Sequence, residues 1–381
     1  MKPLFLILFG CVLLLSACSQ SADEYYKSGI SKNNAKNYSG AISDFGNAIA
    51  LKSQMVDTQI ATVYRKRGNA KCNILDYQGA LIDYDSAIAL NSRDSNAYCY
   101  RGIARNKLHD NAGAISDYSK AIELNPMYVE AYYSRGNARY ENHDLIGSLS
   151  DYSKAIELNR SYADAYYNRS VVRSEQGDTV GYLSDLDKTI EADSQYAYAY
   201  YNRGTSKARK QKHVEAIADF DMAISVTRSN EDTVVARFYY NRGKSKAYLS
   251  DFTGSITDLN KAIELDRNFS EAYSQRGVIK MLEQDYNDAL RDFDRSLELR
   301  PNDGKSYCNR SSAKLGLQDF KGAIEDCNKA IAIDPKIAEF YCNRGLAEIG
   351  LGQNEQGCSD IKKASGMGYE KARMAGKQFC K

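Results

Sequence analysis

The chain predicts an all-α fold of stacked helical hairpins, closed at its C-terminal end by a short helix. Three observations predict it. Small residues recur at Gly29, Gly68, Gly102, Gly136, Ser170, Gly204, Gly243, Gly277, Ser311 and Gly345, at seven intervals of 34 residues and two of 39. Within each period the apolar residues fall at helical spacing, as in Tyr152, Ala155, Ile156 and Leu158. Only four prolines occur in 381 residues, and Pro126, Pro301 and Pro335 stand where one period hands over to the next, past a helix end. One helix pair cannot bury its apolar face alone, so consecutive pairs must stack to make a core.

Composition narrows the function. The 51 Lys and Arg nearly balance 49 Asp and Glu, so the basic excess of an electrostatic nucleic-acid binder is missing and no nucleic acid is expected as partner. An apolar share of 43% is too high for a disordered chain.

The first element is an address. Met1-Lys2-Pro3 gives a short positive start, and the apolar run Leu4 to Leu15 has the length of a signal-peptide core, too short to span a bilayer. It ends in Leu15-Ser16-Ala17-Cys18, which resembles the lipobox of bacterial lipoproteins. The resemblance implies removal of residues 1–17, lipidation of Cys18, and a short tether over 18–21 that leaves the folded part close to a membrane of the bacterial cell envelope. Ser19 stands where an aspartate would, in enterobacteria, favour retention at the inner membrane, so outer-membrane sorting is preferred. The periplasmic or surface face stays open.

The hairpins come next. Ala131-Tyr132-Tyr133-Ser134-Arg135-Gly136-Asn137-Ala138, then Asp144, then Asp151-Tyr152-Ser153-Lys154-Ala155-Ile156-Glu157-Leu158 return with small changes in every period. The pattern resembles the tetratricopeptide repeat, two antiparallel helices per 34 residues. The resemblance implies a right-handed superhelical solenoid over 22–365, with repeats starting at Ala22, Ala61, Ser95, Val129, Ala163, Ala197, Ala236, Ser270, Gly304 and Ala338. Residues 366–381 are expected to form a C-terminal cap. Asp76, Asp110, Asp144, Asp178, Asp251, Asp285 and Asp319 precede second helices, where a carboxylate caps free N–H groups. Five extra residues interrupt the array near Lys52–Ile60 and five more near Thr227–Val235. Repeat five replaces small or aromatic residues with Ser170, Tyr182, Leu186 and Thr189, so a local change of curvature is expected over 163–196.

A charge ladder departs from the usual repeat. Position seven is Arg from Arg67 to Arg344, position eleven is mostly Lys or Arg, and position twenty-three is Asp in all ten repeats. Like charges four apart repel, so the Asp must lie near. Position twenty-three is level with position seven of its own hairpin and of the next. Repeat one has Asp44 but Ser28 in the Arg position, and the expected ladder therefore crosses repeat boundaries, as Asp44–Arg67, Asp83–Arg101 and Asp117–Arg135.

In the repeat family the first helices line a concave groove for extended peptides or partner helices. The resemblance places Tyr133, Asn137, Tyr140, Tyr167, Tyr198, Tyr201, Arg209, Arg237, Tyr240, Lys244 and Tyr248 there. Aromatic anchors among mixed charges suit peptide recognition. A family subset clamps chaperone C-terminal carboxylates; Arg65 and Asn69 match its first pair, but Tyr100, Glu130 and Ser134 do not continue it.

No catalytic residue, metal, cofactor or small-molecule substrate is expected. Three histidines lack partners at metal spacing, and neither His-Glu-x-x-His nor Cys-x-x-Cys occurs. Buried free thiols are the default for the seven cysteines after Cys18, with Cys327–Cys342 a disulfide candidate on facing helices. The function expected is a lipid-anchored scaffold holding a peptide or helix of an envelope partner. The alternatives are a fixed adaptor in an assembly, secretion or pilus machine, or a non-catalytic accessory of an envelope hydrolase.

Overall fold

A computed structural model describes residues 20–227 and 232–380. Cys18, the signal segment and the tether up to Ser19 lie outside the described residues. Among these the secondary structure is helical throughout, and the chain divides into two compact units at Lys188 and Thr189.

The first unit holds α1 (Ala22–Asn34), α2 (Tyr38–Ala50), α3 (Asp57–Asn73), α4 (Tyr77–Leu90), α5 (Ser95–Lys107), α6 (Asn111–Leu124), α7 (Val129–Glu141), α8 (Leu145–Leu158), α9 (Ala163–Glu175) and most of α10 (Thr179–Ala192). The second holds the end of α10, then α11 (Ala197–Arg209), α12 (His213–Val226), α13 (Asp232–Tyr248), α14 (Phe252–Leu265), α15 (Ser270–Leu282), α16 (Tyr286–Leu299), α17 (Gly304–Gly316), α18 (Phe320–Ile333), α19 (Ala338–Gly350), α20 (Asn354–Gly366) and α21 (Glu370–Phe379). The division falls inside repeat five, the segment whose sequence departs most from the pattern. There Ser170, Leu186 and Thr189 are buried and Tyr182 is half-buried.

Each hairpin closes the same way. The residue between the paired helices adopts left-handed backbone, as at Lys36, Leu75, His109, His143, Gln211, Ser250, Gln284 and Gln318, or is Gly177 or Gly352. His109 and His143 thus sit in tight turns. The following residue caps the second helix: Asp76, Asp110, Asp144, Asp178, Asp251, Asp285 and Asp319 each accept an N–H three residues on, at 2.8–3.2 Å. The extra residues after α2 form a 3-10 turn at Lys52–Gln54, and α3 runs 17 residues where α1 runs 13. The first helix after the second interruption, α13, is likewise 17 residues long.

Close approach explains the small residue at position eight. A Cβ on Gly68, Gly102 or Gly136 would meet the ring of Tyr84, Tyr118 or Tyr152 at 2.7–2.8 Å. Where Ser replaces Gly, the residue at position twenty-four is no longer aromatic: Ser170 goes with Leu186, and Ser311 with Cys327. In these two hairpins volume is traded across the pair, whereas Gly243 faces Leu259 and Gly345 lies against the backbone of Gly357.

The charge ladder runs within hairpins, and the expected pairs Asp44–Arg67, Asp83–Arg101 and Asp117–Arg135 are not the ones formed. Arg67 makes two parallel bonds to Asp83, Arg101 to Asp117 and Arg135 to Asp151, at 2.6–2.9 Å. The same fork recurs at Arg169–Asp185, Arg203–Asp219, Arg242–Asp258, Arg276–Asp292, Arg310–Asp326 and Arg344–Asp360. Position eleven supplies a second cation to the same carboxylate, as in Lys71–Asp83 at 2.8 Å and Arg105–Asp117 at 2.9 Å. In the first hairpin, Asp44 takes the Ser28 hydroxyl and Lys32 instead. Two cations on one Asp cancel the repulsion between positions seven and eleven. Each arginine also lies over the position-four tyrosine of its own helix, 5.4 Å from the ring centre for Arg101 on Tyr98.

The third arginine nitrogen does cross the boundary, but to position twenty-five. Arg101 Nη1 donates to Asp85 at 2.7 Å, Arg135 to Ser119, Arg169 to Ser153, Arg242 to Asp221, Arg276 to Asn260, Arg310 to Asp294 and Arg344 to Asn328. A planar fork with donors on two edges serves both hairpins at once.

The C-terminal end is covered. α21 packs on α19 and α20, where Ala372 and Ala375 join Tyr341, Cys342, Ile361 and Ala364, with Leu346, Ile349 and Tyr369 at the margin. A disulfide joins Cys358 of α20 to Cys380, Cα atoms 5.5 Å apart. Cys327 and Cys342, the pair suggested by facing helices, are both free, as are Cys72, Cys99 and Cys308. Burial pushes the Cys99 and Cys327 thiols up to about 12 and Cys342 to about 11, so these sulfurs behave as small apolar groups.

Candidate functional site

The expected groove residues fall in both units, and each unit is described by itself. In the first, Tyr133 is anchored more than presented. Its ring lies 4.8 Å from Tyr162 and 6.1 Å from Tyr152, and its hydroxyl accepts from Asn168 Nδ2 at 3.1 Å. Asn137 Oδ1 accepts from the Tyr152 hydroxyl at 2.8 Å and from Asn168 at 2.9 Å. Burial raises the Tyr133 hydroxyl above its ordinary value. Tyr140 donates to Glu175 of the next hairpin, and Tyr167 is half-buried. These side chains tie one hairpin to the next. The partner asparagine is not legible in residue order, because only stacking brings it within reach.

The clamp-like pair is likewise committed. Arg65 is bonded to Asp94 at 2.8 Å, and Asn69 Oδ1 accepts from Tyr84.

In the second unit Tyr201 follows the same rule. Its ring is 4.8 Å from Phe238 and 6.0 Å from Phe220, and its hydroxyl accepts from Asn241 at 3.0 Å. Tyr198 stands edge-on to Phe238 and is exposed. Tyr240 packs 4.9 Å from Phe269. Arg209 and Arg237 are exposed.

Tyr248 is different. It is 71% exposed, and its ring lies parallel on His213 at 4.5 Å. His213 opens α12 and Tyr248 closes α13, so the sequence alone does not align the two rings; the packing of successive hairpins does. They overlook a depression of about 790 Å³ lined by Thr205, Arg209, His213, Asn241, Lys244 and Tyr248. A second, of about 600 Å³, shares Lys244 and Tyr248 and continues over α15 and α17 past Val278, Lys305 and Asn309. The first helices of successive hairpins therefore line both. Neither depression offers a nucleophile beside a base, and among the described residues no cluster of three or more His, Cys, Asp or Glu is placed to hold a metal. What the surface can do is grip a chain through an exposed ring, amides and cations.

Profile comparison finds tetratricopeptide repeats in three places. Residues 105–143 match a profile described as TPR repeat, and residues 236–269 and 304–337 match one described as Tetratricopeptide repeat. No curated protein sequence matches the chain. Among solved structures, YrrB, titled a TPR protein with an unusual peptide-binding site, is 28% identical over 50% of this chain and 95% of its own, with a TM-score of 0.43. A tetratricopeptide repeat protein from Parabacteroides merdae is 19% identical over 69% of this chain and 100% of its own, with a TM-score of 0.48. The APC/C hetero-tetramer Cut9-Hcn1 matches over 95% of this chain and 84% of that one at 13% identity and a TM-score of 0.51, a likeness of fold. Three segments of the chain thus match tetratricopeptide repeats, and the described residues around them form helical hairpins of the same kind.

Proposed function

We propose that the protein is a non-catalytic protein–protein interaction scaffold, holding a peptide or helix of an envelope partner on the exposed face of its first helices. The observation that carries this reading is the pair of depressions meeting at Lys244 and Tyr248, where an exposed tyrosine stands over polar and apolar walls with no reaction centre beside them. Rigid aromatic anchors supply contact area at small entropic cost. Lipid attachment at Cys18 to the outer membrane belongs to the same proposal and rests on Leu15-Ser16-Ala17-Cys18. No helix among the described residues is long and apolar enough to cross a membrane.

Crosslinking followed by capture from detergent-solubilised membranes tests the scaffold reading. Tyr198→Ala with Tyr248→Ala should abolish capture of the partner and leave the helix content unchanged, since both rings are exposed. Unchanged capture would instead favour the fixed adaptor, which would use other faces. Tyr133 and Tyr201 are unsuitable probes because their half-buried side chains hold the next hairpin through Asn168 and Asn241. Labelling with a tritiated fatty acid, lost in Cys18→Ser, tests the anchor.

A further inference from the structure

Lys244 differs from the cations of the ladder on its own helix, Arg242 and Lys246, which both pair with Asp258. The arginines of position seven and the cations of position eleven described above are held by a buried Asp. Lys244, half-buried on α13, forms no ion pair among the described residues; its Nζ lies 5.4 Å above the Tyr240 ring. Burial, with Lys305 nearby, pulls its ammonium below the ordinary value, so the charge is held at a cost that an incoming anion would relieve.

The surroundings favour that anion. The charged residues lining the larger depression are Arg209 and Lys244, with no carboxylate among its lining residues. His213 Nδ1 is buried there without a hydrogen-bond partner, leaving a ring nitrogen that can donate. Three carboxylates line the second depression beside Lys244 and Lys305: Glu271, paired with Arg300, Asp303, which caps α17 and takes the Ser306 hydroxyl, and Glu339, which accepts from Tyr369; the anion is therefore placed toward the larger depression. Lys244 sits where the two depressions meet, which leaves room for a bound chain on both sides of it and so for a side-chain carboxylate.

We propose that the second unit binds an extended acidic segment of a partner protein, with an internal Asp or Glu side chain seated on Lys244 and flanking residues against Tyr248. This rests on the scaffold reading and adds the chemistry of the partner.

Panning random dodecapeptides, displayed through their C-terminal end so that no free carboxyl terminus is offered, against the folded full chain tests it. Acidic residues should be enriched in the selected peptides, and Lys244→Gln should weaken the selected binders about tenfold, the worth of one charge-assisted hydrogen bond. Lys244→Glu should turn the selection toward Lys and Arg, with circular dichroism showing both variants folded. Peptides that need Tyr248 but carry no acidic excess would leave the scaffold reading standing and overturn this inference. So would acidic peptides indifferent to Lys244→Gln. A library with no selected binder would overturn both.

Discussion

Arg101 and Asp117 face each other across one hairpin through two parallel hydrogen bonds of 2.9 and 2.6 Å, while Nη1 of the same arginine reaches Asp85 of the hairpin before. Asp117 is nearly inaccessible, and Asp85 is largely exposed. One side chain thus holds a buried bond inside its hairpin and a wet one between hairpins. The two differ in worth.

Removing Asp117 should be costly and removing Asp85 nearly silent. Asp117→Ala leaves Arg101 and Arg105 without their carboxylate and should destabilise by about 3 kcal/mol. Asp85→Ala should change stability by no more than about 0.5 kcal/mol. Urea unfolding followed by circular dichroism measures both, and hydrogen exchange should localise the first loss to α5 and α6. Equal effects would mean that the boundary bond matters as much as the hairpin bond.

Glycine at position eight is expected to answer to the ring opposite. Gly102→Ser should destabilise by about 1–3 kcal/mol, because the new Cβ meets Tyr118 at 2.8 Å. Adding Tyr118→Leu should recover part of the loss, reproducing the Ser170 and Leu186 combination of repeat five. Thermal melts of the single and double variants decide it; no recovery would mean that backbone approach, not ring volume, sets the constraint.

The last repeat should respond to pH through Glu348. It stands at position eleven, where most repeats carry a cation, with one oxygen buried and unbonded. Burial, and next Asp360 beside it, raise its carboxyl above the ordinary 4.5, against the opposing pull of Arg344. A raised folded value means that the folded form holds the proton more tightly. Its stabilising contribution is therefore full below about pH 4.5 and is lost as pH rises through the raised value. Glu348→Gln should flatten that part of the stability–pH profile, and Glu348→Lys should raise the melting temperature of the C-terminal segment at pH 7. A profile unchanged by Glu348→Gln would exclude this residue.

The cap should depend on its disulfide. Cys358→Ser with Cys380→Ser frees the end of α21 from α20, a closure spanning 22 residues, and should lower the stability of that segment by about 2–4 kcal/mol. Faster amide exchange over 370–379, with α1 to α9 unchanged, is the expected reading.

Much of this was legible from residue order, and the failures have physical causes. Spacing located the helices and their caps because Asp76 or Asp110 needs only its own next turn to act. The ladder's direction was not legible: Asp83 is level with both Arg67 and Arg101, and a repeat offers each choice equally. Its boundary partner was hidden because position twenty-five changes from Asp85 to Ser119 to Asn260. Aromatic identity chose the residues of the expected groove but did not separate Tyr248, which is 71% exposed, from Tyr133 and Tyr201, which are half-buried and bonded to asparagines of the next hairpin. Cys358 and Cys380 gave no local signal, since their meeting depends on how α21 folds back.

The changing identity at position twenty-five makes the seams between hairpins unequal. Arg67 finds Gly46 there, with no side chain to receive its third nitrogen. The seam between α2 and α3 thus lacks the polar rivet that Arg101 and Arg135 supply to the two seams after it, and leans on apolar packing of Phe45, Ala48 and Val63 instead.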